Sequence, residues 1–255
     1  MDATEPTFAN LTLFFPMWNE EEMIHRTVAA ARQTGDELVE QRVVGSYEIL
    51  IVDDCSTDAT GKIADELAVA DPRIRVVHHP VNRKLGASVR TGLAEATGEL
   101  VLYTDADMPF DLNDLHKALR LLTIYDADIV SAYRFDRTGE GAKRAVYSHI
   151  YNSIVKTVLR LRVRDVNFAF KVIRHEVLDH VELVSEGSFI DAELLAKAQR
   201  RGFHIIQFGV DYFPRARGTS TLSSPAVIVK IVRELAALLP SVRAVTPLPD
   251  RISNR

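Results

Sequence analysis

One cysteine, Cys55, is all that 255 residues contain. An internal disulfide is thereby excluded, and Cys55 reads as a small packed side chain rather than a nucleophile. Long apolar runs are also missing. The longest late stretch, Pro225 to Leu239, is broken by Lys230, Arg233 and Glu234, which makes it too short and too charged to span a bilayer. Met1 to Asn10 is polar and acidic and shows no leader pattern. A cytoplasmic protein is expected, with peripheral contact to the membrane face left open. Charge of one sign is scarce: the net is -4, which disfavours a nucleic-acid partner. No Gly-x-Gly-x-x-Gly follows the first apolar run, which argues against a dinucleotide-dependent dehydrogenase. The histidines show no metal-ligand spacing, and His78-His79 reads as strand-end structure. No internal repeat, low-complexity tract or linker divides the chain.

What is present is a pair of acidic clusters, each closing an apolar run. Ile49 to Val52 leads into Asp53-Asp54, and Leu100 to Thr104 leads into Asp105-Ala106-Asp107. Both runs read as buried strands of a parallel sheet, with carboxylates at the carboxyl end, the edge where open α/β sheets bind ligands. Carboxylates there would repel a phosphate unless a cation intervened. A hard divalent metal bridges carboxylates to a diphosphate through oxygen ligands. The pattern therefore implies a metal–nucleotide site, with Asp53 near the base or ribose and Asp107 at the metal.

Around these clusters strands and helices alternate. Strands are expected at Leu11–Phe15, Glu48–Val52, Ile74–His78, Leu100–Thr104 and Ile129–Ala132. Helices are expected from Asn19, from the Ser56-Thr57-Asp58 cap to about Ala70, at Leu85–Ala96 and at Asp111–Leu122. Glu20, Glu21 and Glu22 are placed in a first helical turn, where negative charge suits the dipole. Farther on, helices are expected at Lys143–Leu161, Asp191–Arg201 (closed by Gly202) and Ser223–Leu239, with strands at Phe168–Ile173 and Ile205–Tyr212. This implies one α/β domain over 1–240, a mostly parallel sheet flanked by helices. Its nucleotide half would cover about 8–108 and its acceptor half 109–240, with a loose tail over 241–255.

The ordered motifs resemble family 2 glycosyltransferases of the GT-A fold, close to the dolichyl- and polyprenyl-phosphate sugar synthases. Pro16-Met17-Trp18-Asn19-Glu20 is similar to the family's opening Pro-x-Tyr-Asn-Glu. Val52 to Thr60 resembles Val-Asp-Asp-x-Ser-x-Asp-x-Thr, and Asp105-Ala106-Asp107 resembles the metal motif. The loop Asn82–Gly86, the helix Gly92–Gly98, Arg144-x-x-x-Ser148-x-x-x-Asn152, Asp165, Phe170-Lys171, Asp191-x-Glu193 and Arg215-x-x-Gly218-x-Ser220 extend the likeness to about Leu222. Departures fall at Pro109, Thr221, the Phe168-Ala169 pair and Lys171, where relatives carry a polar ligand, Lys, a Gly-containing pair and Arg.

The resemblance implies an inverting hexosyltransferase that uses a UDP- or GDP-sugar, a Mg²⁺ or Mn²⁺ ion and a polyprenyl-type phosphate acceptor. It implies nucleotide-sugar contacts from Pro16, Asn19, Glu20, Asp53, Asp54, Lys84, Gly86, Asp105 and Ala106. Asp105 and Asp107 would hold the metal, and Arg134, Arg144, Ser148, Lys171, Arg215 and Ser220 would face the acceptor phosphate. A phosphate acceptor is already ionised and needs cations more than a base. A hydroxyl acceptor needs a carboxylate base, for which Asp191 comes first and Asp165 second. Plainer roles compete: Asp53-Asp54 as helix caps, Asp191 and Glu193 as acids favoured at a helix start, and Arg144, Ser148 and Asn152 as a solvated stripe. The cationic run Lys156, Arg160, Arg162 and Arg164 fits either a membrane-facing segment or a plain surface helix. A non-catalytic nucleotide-binding module is the remaining alternative.

Overall fold

The computed structural model describes residues 5–135, 142–212 and 225–249, with side chains of the last two segments described from 149 and 233 onward. The elements in order are β1 (Phe8–Met17), α1 (Ile24–Glu40), β2 (Val44–Asp53), α2 (Thr60–Ala70), β3 (Ile74–His78), α3 (Leu85–Glu95), β4 (Leu100–Thr104), α4 (Asp114–Ile124) and β5 (Ile129–Arg134). After them come α5 (Ala142–Leu159), β6 (Phe170–Arg174), α6 (His175–His180), α7 (Ile190–Arg201), β7 (Ile205–Val210) and α8 (Pro225–Ala244). Among the described residues seven strands form one sheet in the order β3-β2-β1-β4-β6-β5-β7.

The strands are buried because helices cover both faces, so successive apolar residues serve opposite layers. Leu13, Phe15, Ile49, Ile51 and Leu102 join one core with α1 and α4. Phe14, Leu50, Val52, Val101 and Tyr103 join the other with α3, α5 and α7. The chain winds outward from β1 through β2 to β3, then returns through α3 to place β4 on the other side of β1. That reversal between β1 and β4 is a topological switch point, which opens a crevice at the carboxyl ends of those strands.

The return helix fits only because α3 carries a glycine. A Cβ on Gly92 would lie 2.0 Å from Phe14 Cε2 on β1. Gly92→Ala is expected to cost about 1–3 kcal/mol through overpacking against a sheet residue that cannot retreat. A urea midpoint equal to that of the wild-type protein would contradict the contact.

The sheet is mostly parallel, as expected, with β6 running antiparallel to both β4 and β5. Several other expectations are corrected. The first helix starts at Ile24, because Asn19 has φ 55° and turns the chain. Glu20 and Glu21 instead join loops: the Glu20 N–H donates to Thr60 Oγ1 and Glu21 accepts from the Ala59 N–H. The short helix α6 was not expected. The tail is not loose at 241–249. Helix α8 runs through Pro240 to Ala244, Val242 is buried, and Leu248 packs on the second core. Arg200 and Arg201 hold it by donating to the carbonyls of Arg243, Val245 and Thr246. Gly202 does close α7 as expected, at φ 97°, the left-handed position that glycine takes freely.

Candidate active site

Four loops leave the carboxyl ends of β1 to β4, and each contains one non-glycine residue at positive φ: Asn19 (55°), Cys55 (57°), Lys84 (73°) and Met108 (37°). The other three such residues, Arg42, Asp126 and Arg160, follow helix ends, where this conformation is routine. Left-handed backbone costs a side-chain-bearing residue about 1–2 kcal/mol. Its recurrence along one sheet edge marks loops held in place by their neighbours.

Hydrogen bonds show what holds them. Asn19 Oδ1 accepts from the Thr57 N–H at 2.8 Å, and the Asn19 N–H donates to Ser56 Oγ at 3.0 Å. Asn19 and Glu20 thus lock the loop after β1 to the loop after β2. Asp54, 3 % exposed, accepts from the backbone N–H groups of Arg83 at 2.8 Å and Lys84 at 2.9 Å, and its Oδ1 lies 2.7 Å from His79 Nδ1. Both of its oxygens are occupied in shaping the loop that presents Lys84. Asp54 thus has a scaffold role on that loop. Pro16 is buried in β1, two residues beyond Phe14, the last β1 residue paired with β4. Gly86 is buried too, and a Cβ there would lie 2.5 Å from the Gly187 carbonyl, so it admits the loop before α7.

Asp53 ends β2 and the Asp105–Asp107 pair follows β4, with β1 between, a separation of about 10 Å at ordinary strand spacing. Asp53 is 5 % exposed; its Oδ1 accepts from the Ser56 N–H at 3.1 Å and its Oδ2 lies 2.9 Å from His78 Nδ1. Asp105 and Asp107 are half-buried, and one oxygen of Asp107 is fully buried. Between them Ala106 is pinned by Thr27 of α1, whose hydroxyl donates to the Ala106 carbonyl at 2.5 Å. Among the described residues no group of three His, Cys, Asp or Glu could hold a metal alone. Two carboxylates with hard oxygens fit a Mg²⁺ or Mn²⁺ ion that takes further ligands from a diphosphate.

The residues expected on the acceptor side whose side chains the structure describes lie on β5, β6 and α7 and in the loops beside them. Lys171 has no exposed surface, and Nζ donates to Asp191 Oδ1 at 2.5 Å and to the Phe168 carbonyl at 2.8 Å. The expectation that Lys171 meets an acceptor phosphate does not fit a side chain sealed inside the fold; it is the counter-ion of Asp191. Asp191 is itself 4 % exposed, and burial pushes its carboxyl up from the ordinary range against the opposing pull of Lys171. Arg134 bonds Asp165 through Nε at 3.0 Å and lies over the rings of Tyr212 and Phe168. Asn152, for which a solvated stripe was the plainer alternative, is buried and accepts from the Val166 N–H. Glu193 is buried, paired with Lys197, and accepts from the N–H groups of Val184 and Ser185, so it fixes the loop before α7. The side chains of Arg144 and Ser148, and all of Arg215 and Ser220, lie outside the described residues.

Two histidines that the sequence reading set aside are thus partners of the first acidic cluster. The β2–β3 register pairs Asp53 with His78, so two acids at one strand end face two histidines at the next. A cavity of about 1190 Å³ lies at the opposite edge, lined by Arg160, Arg162, Arg174, Arg200 and acids including Asp128. It contains none of the crevice carboxylates.

Residues 12–181 match the sequence profile of glycosyl transferase family 2. The chain is 30 % identical over 210 residues to glycosyltransferase AglD of Haloferax volcanii, covering 80 % of this chain but 33 % of that protein. This chain therefore spans about a third of the length of that relative. It is 28 % identical over 231 residues to polyprenol monophosphomannose synthase of Mycolicibacterium smegmatis, covering 86 % and 82 % of the two. Its fold is similar to glucosyl-3-phosphoglycerate synthase from Mycobacterium tuberculosis, solved with phosphoglyceric acid. The TM-score there is 0.64 at 21 % identity, over 94 % of this chain and 82 % of the other. It is also similar to the mannosyltransferase PcManGT from Pyrobaculum calidifontis, solved with GDP-Man and Mn²⁺. That TM-score is 0.60 at 18 % identity, over 96 % and 76 %. The GT-A fold expected from the motifs is the fold observed.

Proposed function

Starting from glycosyl transferase family 2, to which this chain belongs, we propose that it moves a hexose from a UDP- or GDP-sugar to a polyprenyl-type phosphate, with inversion. The observation that carries the donor half is the pair of carboxylate sites flanking β1 at the switch point. Asp53 is set to accept a base N–H or ribose hydroxyl. Asp105 and Asp107 would hold a divalent cation, which when bound stabilises charge on the leaving diphosphate as a Lewis acid. Lys84, exposed on a loop fixed by Asp54, offers a point charge to the phosphates.

For the acceptor, the state of Asp191 supports the phosphate. A hydroxyl must lose its proton to a base within hydrogen-bond reach. Asp191 is 4 % exposed and already bound to an ammonium. A phosphate oxygen is ionised beforehand and asks only for positioning by cations such as Arg134 and, by resemblance, Arg144 and Arg215. The similarity to a polyprenol monophosphomannose synthase points the same way. The hydroxyl reading keeps one observation in its favour: burial shifts Asp191 upward, the direction a general base requires. Among the described residues no helix is long and apolar enough to cross a membrane. Access to a lipid acceptor is proposed to be peripheral, from the cytoplasmic face.

The test is a panel of UDP- and GDP-linked glucose and mannose with Mg²⁺ or Mn²⁺, offered polyprenyl phosphate, free polyprenol or a glycan. Product with polyprenyl phosphate alone is expected. Transfer only to hydroxyl acceptors would overturn the acceptor assignment. Nucleotide binding with no turnover on any pair would leave a non-catalytic module.

A further inference from the structure

The geometry points to His78 as the positioning residue for Asp53, the carboxylate that meets the nucleoside; this rests on the donor reading above. His78 ends β3 and is the residue opposite Asp53 in the β2–β3 ladder. Its ring bridges two acids. Nδ1 lies 2.9 Å from Asp53 Oδ2, and Nε2 lies 3.0 Å from Asp65 Oδ1 on α2. An ionised carboxylate only accepts hydrogen bonds, and neutral imidazole carries a single N–H. Holding both acids therefore requires the imidazolium, which donates from each nitrogen.

The surroundings make this bridge a clamp on Asp53. Its other oxygen is held by the Ser56 N–H at 3.1 Å. Gly61, in the first turn of α2, covers the pair from above: a Cβ there would lie 2.9 Å from Asp53 Oδ2 and 3.5 Å from His78 Cε1. Each carboxylate oxygen has two lone-pair directions, so acceptor capacity remains for a nucleoside N–H or hydroxyl. The clamp fixes where that capacity points. The imidazolium also sits between Asp53 and Asp65, whose summed charge opposes a diphosphate.

The charged groups facing His78 are Asp53 from the end of β2 and Asp65 from α2. The adjacent His79 faces Asp54 and Thr91. Hydrogen bonding to Asp65, then to Asp53, raises the His78 pKa from 6.5. The sign follows: the charged clamp is complete below the ordinary histidine value and is lost as pH rises through the raised one. Donor affinity should weaken over that same interval.

The experiment is calorimetric binding of UDP-glucose and GDP-mannose, with Mg²⁺, from mildly acidic to mildly alkaline buffer. These sugar diphosphates do not themselves titrate there. For the wild-type protein, Kd for the preferred donor is expected to rise severalfold across the range. His78→Phe should bind about tenfold more weakly at the acidic end, the loss of about 1.4 kcal/mol, and its Kd should be flat with pH. His78→Gln, which keeps one neutral donor, should fall between them and also be flat. At saturating donor kcat should stay near the wild-type value in both variants, because a positioning contact of this kind acts on ground and transition states alike. Unfolding temperatures separate misfolding from loss of the clamp, and His78→Gln supplies a second variant if His78→Phe is unstable. A His78→Phe Kd that matches the wild type and its pH profile would overturn the inference while leaving the donor assignment standing. Failure of the wild-type protein to bind either donor at any pH would overturn both.

Discussion

Sugar transfer by Asp107→Ala is expected to fall by about 10²-fold or more, the scale of losing one preorganised electrostatic contact, with no loss of fold. The residue follows β4 at the switch point, half-buried beside Asp105, with one oxygen fully buried and directed away from solvent. Its removal takes one of the two carboxylates that β4 places on the crevice. The Thr27 hydroxyl holds the backbone there through the Ala106 carbonyl, a contact the substitution leaves in place, so stability should change little. Steady-state kinetics with the preferred donor, read beside thermal unfolding, separates the two effects. EDTA should silence the wild-type protein to a similar depth, and excess Mg²⁺ or Mn²⁺ should restore it. Undiminished turnover in EDTA, or a fully active Asp107→Ala, would remove the metal from the reading.

The crevice was legible because it depends on strand ends, and strand ends were the clearest signal in the chain. Four-residue apolar runs, Ile49–Val52 leading into Asp53 and Leu100–Tyr103 leading through Thr104 into Asp105, read as buried strands entering a ligand edge. What a periodic pattern does not contain is direction: Phe170–Arg174 reads as a strand whichever way it runs, and its antiparallel pairing with β4 had no local cue. Roles within a cluster were harder. Asp53 and Asp54 are adjacent and chemically identical, yet alternation sends one toward His78 and the other into the turn at Lys84. Lys171 shows the same difficulty from the other side. A lysine in a strand is read as a surface cation, and only the partner twenty residues later, brought by α7, explains how it can be sealed inside. The fixed tail was missed for a simpler reason: Pro240 is a helix breaker by propensity, and packing of Val242 and Leu248 overrides it.

Lys171→Met is expected to destabilise the fold by about 3–5 kcal/mol, since it leaves Asp191 buried without its counter-charge. Lys171 has no exposed surface and Asp191 is 4 % exposed, so solvent cannot replace the lost ammonium. Tyr103, opposite Lys171 on β4, is also fully buried, and its own pKa is raised by burial and then by Asp191 and Asp105. The pocket therefore already resists negative charge. The pH dependence has a definite sign. Burial raises the Asp191 pKa above 3.8 even with Lys171 present. A carboxyl raised in the native state contributes stability at low pH that is lost as pH rises through the folded value. Without Lys171 the native pKa climbs further, so the penalty should be largest near neutrality and shrink on acidification, as Asp191 takes up a proton. Urea unfolding at several pH values measures this directly, and a pH-independent penalty would contradict it. Replacing both partners, Lys171→Met with Asp191→Leu, should recover much of the stability, because an apolar pair leaves no buried charge. The activity of two further variants divides the two acceptor readings. If a phosphate is the acceptor, Asp191→Asn should keep a kcat limited mainly by packing, with no ionisation limb removed from its pH profile. If that variant is folded and inactive while Arg215→Ala transfers normally, a hydroxyl is the acceptor and Asp191 its base.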